Sequence, residues 1–156
     1  MHISKNYLEF IRIIAIFAPK EIVIMEVTFD NTEKKFVFDF GHDGIEDIGF
    51  SIRMAVDSAH KKINLYHYGV VVLPETRTKV NQYMLRYIYR FNQPRLLKFE
   101  DVLSEPMDEE LISLIRQHNA LVIDDVTSGD SNLNEVLCTL RNLNDANNIA
   151  IFSIVG

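Results

Sequence analysis

The sequence predicts an α/β fold built on a parallel sheet, with an αββα piece at its N-terminus. Three observations predict it. From Gly69 onward, short apolar runs alternate with stretches of helical periodicity in the order βαβ-αβαβ, the pattern of a parallel sheet with right-handed crossovers. The run Ala120–Ile123 is apolar without alternation, as a strand covered on both faces must be. At 156 residues, 47% hydrophobic and 24% charged, the chain has the length and composition of one ordinary globular domain, 1–156.

Taken in order, Ser4 can cap a helix running to about Phe17 and closed by Pro19. Its run Ile13–Ala18 is too short to span a bilayer, which takes about 20 residues. Glu9 and Arg12 interrupt it and no small-residue cleavage site follows, so a buried helix is expected rather than a signal peptide. Val23, Met25, Val27 and Phe29 alternate, as do Phe36, Phe38 and Phe40, with a hairpin turn at Asp30–Glu33. After a turn at His42-Asp43-Gly44, Ile52, Ala55, Val56, Ala59 and Ile63 fall on one helical face. The strand Gly69–Leu73 follows.

Val80, Met84, Tyr87, Ile88 and Phe91 recur at helical spacing, and Asn92-Gln93-Pro94 ends that helix. Arg95–Phe99 reads as a short strand, Glu100–Met107 as an acidic, proline-broken connection, and Leu111, Ile112, Leu114 and Ile115 as a helix. Beyond the strand at Ala120 come a helix carrying Leu133, Val136, Leu137 and Leu140 and a last strand, Ile149–Val155.

Composition narrows the function classes. Sixteen basic against twenty-two acidic residues give a net charge of −6, which disfavours a general nucleic-acid or acidic-membrane surface and leaves only a local basic patch open. Cys138 is the single cysteine, so there is no intrachain disulfide and no cysteine-based zinc site, and a reducing, cytoplasmic setting is expected. The five histidines show no metal-ligand spacing. No Walker A glycine loop and no Gly-x-Ser-x-Gly elbow is present. Tyr83, Tyr87, Tyr89 and Phe91 read as packing residues of their helix rather than as a stacking platform.

The chemistry concentrates in Val122-Ile123-Asp124-Asp125-Val126-Thr127-Ser128-Gly129-Asp130-Ser131. An apolar strand ends in adjacent carboxylates, then in a small polar turn that opens a helix near Ser131. The carboxyl end of such a strand is where open α/β sheets bind ligands. Thr127, Ser128, Gly129 and Ser131 offer hydroxyls, successive N–H groups and a glycine free to take positive φ, which is an anion cradle at a helix N-terminus. Carboxylates beside such a cradle suit a ligand with a phosphate at one end and hydroxyls or a chelated cation beside it. A phosphorylated sugar fits. Upstream, Val70–Leu73 leads through Pro74 to Arg77 and Lys79 and then to Asn81-Gln82 at a helix start.

These two stretches resemble the 5-phosphoribosyl-1-pyrophosphate (PRPP) motif and the pyrophosphate loop of the type I phosphoribosyltransferases, in particular their competence-associated branch. The resemblance covers roughly residues 68 to 155. It implies a sheet of type I phosphoribosyltransferase topology (residues 61–156), with residues 1–60 as an N-terminal αββα hood. It also implies that Asp124 and Asp125 contact ribose hydroxyls, that Thr127, Ser128, Gly129, Asp130 and Ser131 wrap the 5-phosphate, and that Arg77 and Lys79 face pyrophosphate. The implied activity is phosphoribosyl transfer from PRPP to a nitrogen acceptor or the reverse, a glycosyltransferase step of nucleotide metabolism, with Mg²⁺ carried by the substrate pyrophosphate. Expected partners are a phosphosugar or nucleotide, with a homodimer compatible and no membrane. The stretch departs from the family pattern: Gly129 follows Asp125 by four positions where five are usual, and Asp130 and Asn132 replace small residues or threonine. That departure favours the alternative of a non-catalytic ligand-sensing or partner-binding module on the same fold.

Overall fold

The computed structural model describes residues 8–17, 21–39, 48–74, 78–125, 132–145 and 148–155. Its strands are β1 (Leu8–Phe17), β2 (Glu21–Asp30), β3 (Lys35–Asp39), β4 (Tyr68–Leu73), β5 (Arg95–Lys98), β6 (Asn119–Asp125) and β7 (Ile149–Val155). The helices are α1 (Ile48–Ile63), α2 (Lys79–Ile88), the single turn α3 (Phe99–Val102), α4 (Glu109–Gln117) and α5 (Leu133–Leu143). Among the described residues the strands form one seven-stranded sheet, ordered β1-β2-β3-β7-β6-β4-β5. Strands β3, β7, β6, β4 and β5 run parallel, while β2 is antiparallel to both β1 and β3. The sheet is therefore mixed and mostly parallel.

The N-terminal expectation is corrected at β1. Residues Leu8–Phe17 are not a helix but a ten-residue strand, paired with β2 from Leu8↔Asp30 to Phe17↔Glu21. Ile11, Ile13, Ile14 and Ile16 lose side-chain freedom in a helix and suit a pleated surface, so the β-branched content decides once β2 lies alongside. The described N-terminal part is thus βββα, and its strands extend the sheet instead of forming a separate αββα layer. Strand β3 pairs only with Glu26–Asp30 of β2, so among the described residues Glu21–Met25 pair with β1 alone. Phe36 and Phe38 tie this region to β7: Phe152 meets both rings edge-on, with centroids 5.5 and 5.1 Å away. Full burial of each such side chain is worth about 1.5–3 kcal/mol.

Helices cover both faces of the parallel strands. On one face Ile52, Val56, Met84 and Ile88 of α1 and α2 pack on Val71, Leu73, Leu121 and Ile123. On the other, Val102, Ile115, Val136 and Leu140 of α3, α4 and α5 pack on Val70, Val72, Ala120 and Val122. Alternate residues of β4 and β6 enter opposite cores, which is why these strands read as unbroken apolar runs.

The chain leaves β4 through α2 to the outer strand β5, and leaves β6 through α5 in the opposite direction to β7. With crossovers of one hand, opposite steps put the two helices on opposite faces. A crevice follows at the carboxyl ends of β4 and β6.

Candidate functional site

Asp124 and Asp125 end β6, level with Ser153 and Ile154 of β7. On its other side β6 pairs with β4 through Val72↔Val122, so the acidic pair stands at the crevice between the two strands. Open α/β sheets bind ligands at this switch point. The sequence placed the pair at a strand end; the structure adds which strand lies next to it.

Asp124 is more enclosed than a strand end suggests, with 4% of its surface exposed. By strand alternation it shares the face of Val122, toward α5, and Ser153 opposite it in register shares the face of Ile151. Asn81 is fully buried in the first turn of α2, and Ser51 is buried in the first turn of α1. Oδ1 atoms of Asn81 and Asp124 are held away from solvent. Both helices begin at the carboxyl edge because each follows a strand of the parallel set. A Cβ placed on Gly49 would lie 3.3 Å from Tyr83 Cε1, so α1 and α2 approach closely near these first turns.

Among the described residues Ser51, Asn81, Asp124 and Ser153 are the buried polar side chains, and all of them lie at the carboxyl edge. Removing such groups from water costs free energy unless contacts restore what is lost. Their confinement to one edge marks the place where this fold departs from an apolar interior, and such departures concentrate at functional sites.

The helix ends differ. Thr78 Oγ1 accepts from Asn81 N at 3.2 Å and so caps α2. Asn132 makes no side-chain cap at α5, so it does not consume the first N–H groups of that helix. Lys79 is exposed at the first position of α2. Arg77, Thr127, Ser128, Gly129, Asp130 and Ser131 lie outside the described residues, as does the backbone cradle they would form. A groove of about 450 Å³ lies elsewhere, between β5 and α4. It contains neither acid of the pair, and its one arginine, Arg95, is 3.8 Å from Glu110.

Ser51 and Ser153 are site candidates that sequence reasoning missed. Ser153 had a weak signal, as the lone polar residue in Ile149–Val155. Ser51 had none, because an isolated serine in an amphipathic helix carries no periodic signature. Among the described residues no group of three or more His, Cys, Asp or Glu is placed to hold a metal ion, and no helix is long and apolar enough to cross a membrane. No family model matches the chain, nor does any curated protein or solved structure.

Proposed function

We propose that the protein binds a phosphorylated sugar or nucleotide, PRPP foremost, at the carboxyl edge between β4 and β6, and transfers a phosphoribosyl group to or from a nitrogen acceptor. One observation carries this reading: an acidic pair ends β6 at the switch point, on the edge where the buried polar side chains gather. Strand order supports it. Counted from β4, the arrangement β5-β4-β6-β7 is the 2-1-3-4 order of doubly wound sheets whose ligands lie between the first and third strands. The motif's resemblance to type I phosphoribosyltransferases supplies the rest.

In this reading Asp124 and Asp125 accept hydrogen bonds from ribose hydroxyls. The turn Thr127–Ser131 wraps the 5-phosphate at the start of α5, where the helix dipole favours an anion. Arg77 and Lys79 face the pyrophosphate. Mg²⁺ would be carried by the substrate pyrophosphate and keep several of its waters. When bound, it would neutralise charge on the leaving pyrophosphate. The protein's own part is to position the reacting groups and to stabilise charge around an oxocarbenium-like centre.

A second reading, a ligand sensor without turnover, is favoured by the short Asp125–Gly129 spacing and by the carboxylate of Asp130. Thermal melting with PRPP and Mg²⁺ tests both. At about a hundredfold excess over Kd a native-state ligand adds about 2.7 kcal/mol, a rise of roughly 5–10 °C for a chain of this size. Pyrophosphate release with an added base then identifies the transferase, and a shift without release identifies the sensor. No shift with PRPP, ribose 5-phosphate or nucleoside monophosphates at millimolar concentration would overturn both.

A further inference from the structure

The two faces of the sheet carry opposite charge. Between residues 48 and 94, the described part of the α1–α2 layer holds Arg53, Lys61, Lys62, Lys79, Arg86 and Arg90 against Asp57; Arg90 pairs with Asp57, and Lys62 also has a partner. Over residues 95–117 and 132–145 the opposite layer exposes Glu100, Asp101, Glu105, Asp108, Glu109, Glu110, Glu135 and Asp145 against Arg95, Lys98, Arg116 and Arg141, a net acidic face. The acidic excess of the whole chain therefore hides a basic surface. Charge averaged over the sequence misses it because the two halves of the chain cover different faces.

This basic layer also carries the exposed rings. Tyr66 (59% exposed) and Tyr89 (40%) are the large hydrophobic side chains that stand exposed among the described residues, and both belong to it. Around Tyr66 the rings form a supported cluster: His60 stacks on Phe91 at 4.1 Å, and Tyr66 meets both edge-on at 5.3 and 5.7 Å. Arg86 lies 5.4 Å from the Tyr83 centroid, and Arg90 5.1 Å from that of Phe91. Cations held against rings lose less freedom when they meet a phosphate.

We propose that the α1–α2 layer binds single-stranded nucleic acid, with phosphates along Lys61 and Arg86 and bases stacked on Tyr66 and Tyr89. Charge alone would equally suit the acidic layer of a second copy. The exposed rings decide between the two, because bases offer flat faces to stack on and a carboxylate-rich helix does not. The proposal is independent of any activity at the carboxyl edge.

Fluorescence anisotropy with a labelled single-stranded oligonucleotide of about 20 nucleotides tests it, using wild type, Lys61→Glu/Arg86→Glu and Tyr66→Ala/Tyr89→Ala. These positions are exposed, and melting curves of both variants check that they remain folded. Wild type is expected to bind, losing at least roughly tenfold in affinity between about 50 and about 200 mM salt. Charge reversal should abolish binding, and removal of the rings should weaken it at least roughly fivefold with the salt slope unchanged. No binding by wild type at about 50 mM salt would overturn the proposal. So would unchanged affinity in the tyrosine variant, which marks a general polyanion surface. Concentration-dependent sedimentation lost on charge reversal, without oligonucleotide binding, would assign the layer to a second copy of the chain.

Discussion

The two edges of the parallel sheet handle their polar groups differently. At the amino edge, side chains are tied to backbone. Asn144 Nδ2 donates to the carbonyls of Ile115 and His118 at 2.7 and 3.0 Å, Asn92 Nδ2 donates to that of Tyr68 at 2.6 Å, and His60 Nδ1 accepts from Leu65 N at 3.0 Å. These contacts close the turns that feed β4, β6 and β7. At the carboxyl edge the buried polar groups sit instead on strand ends and first helical turns. The amino edge ties its polar side chains to the turns between elements; the carboxyl edge buries Ser51, Asn81, Asp124 and Ser153. Stability and binding should therefore separate by edge.

The largest expected effect is at the amino edge. Asn144→Ala leaves two carbonyls without their donor and should cost about 2–3 kcal/mol. That lowers the melting temperature by roughly 5–10 °C. Ligand affinity of the folded protein should not change, and a fall in both would dissolve the distinction between the edges.

The reverse pattern is expected for Asp124→Asn/Asp125→Asn. Asparagine keeps the shape of the buried Asp124 side chain, so stability should change by less than about 1 kcal/mol. PRPP affinity should fall at least roughly tenfold, about 1.4 kcal/mol. Calorimetric titration beside a urea melt measures both, and intact affinity would remove the pair from the site.

A smaller effect sharpens the reading of the carboxyl edge. Asp130 follows Gly129 in the proposed phosphate turn, and two unit charges about 4 Å apart in water repel by about 1 kcal/mol. Asp130→Ala should tighten phosphosugar binding roughly threefold at low ionic strength, fading as the Debye length falls to about 10 Å near 0.1 M salt. Weaker binding instead would mean that this carboxylate works with the ligand, through Mg²⁺.

The smallest effect returns to the amino edge. Burial holds the Tyr68 hydroxyl above its ordinary value of 10.0. A raised folded value means that its share of stability is full below the unfolded value and is lost as pH climbs through the folded one. Tyr68→Phe should flatten the loss of stability between about pH 9 and about pH 11, seen in urea midpoints. An identical alkaline slope in the variant would move the effect to other groups.

Much of this arrangement is legible in the sequence. The unbroken apolar runs at Val70–Leu73 and Ala120–Ile123 announce strands with cores on both sides, and the helices between them are set by their own periodicity. The acidic pair is legible for the same reason, since its strand is. β1 is not. An apolar run such as Ile13–Ala18 suits a buried helix or a strand equally, and the ten-residue register with β2 that decides the matter is a relation between distant residues. Ser51 fails in the same way. Nothing local marks it until the fold sets the first turn of α1 at the same edge as Asp124.

The place of β7 has a consequence for how the chain is made. It lies between β3 and β6, pairing with both in parallel, so the ribbon of the first three strands stays apart from β6 until Ile149–Val155 has emerged. Roughly 110 residues separate Asp39 from Ile149, on the order of ten seconds of synthesis at ordinary elongation rates. For that interval β3 has one free side and no sheet to join, and an open strand edge is a template for wrong partners. The ribosome-bound chain is therefore the state in which the open side of β3 is most exposed to wrong pairing.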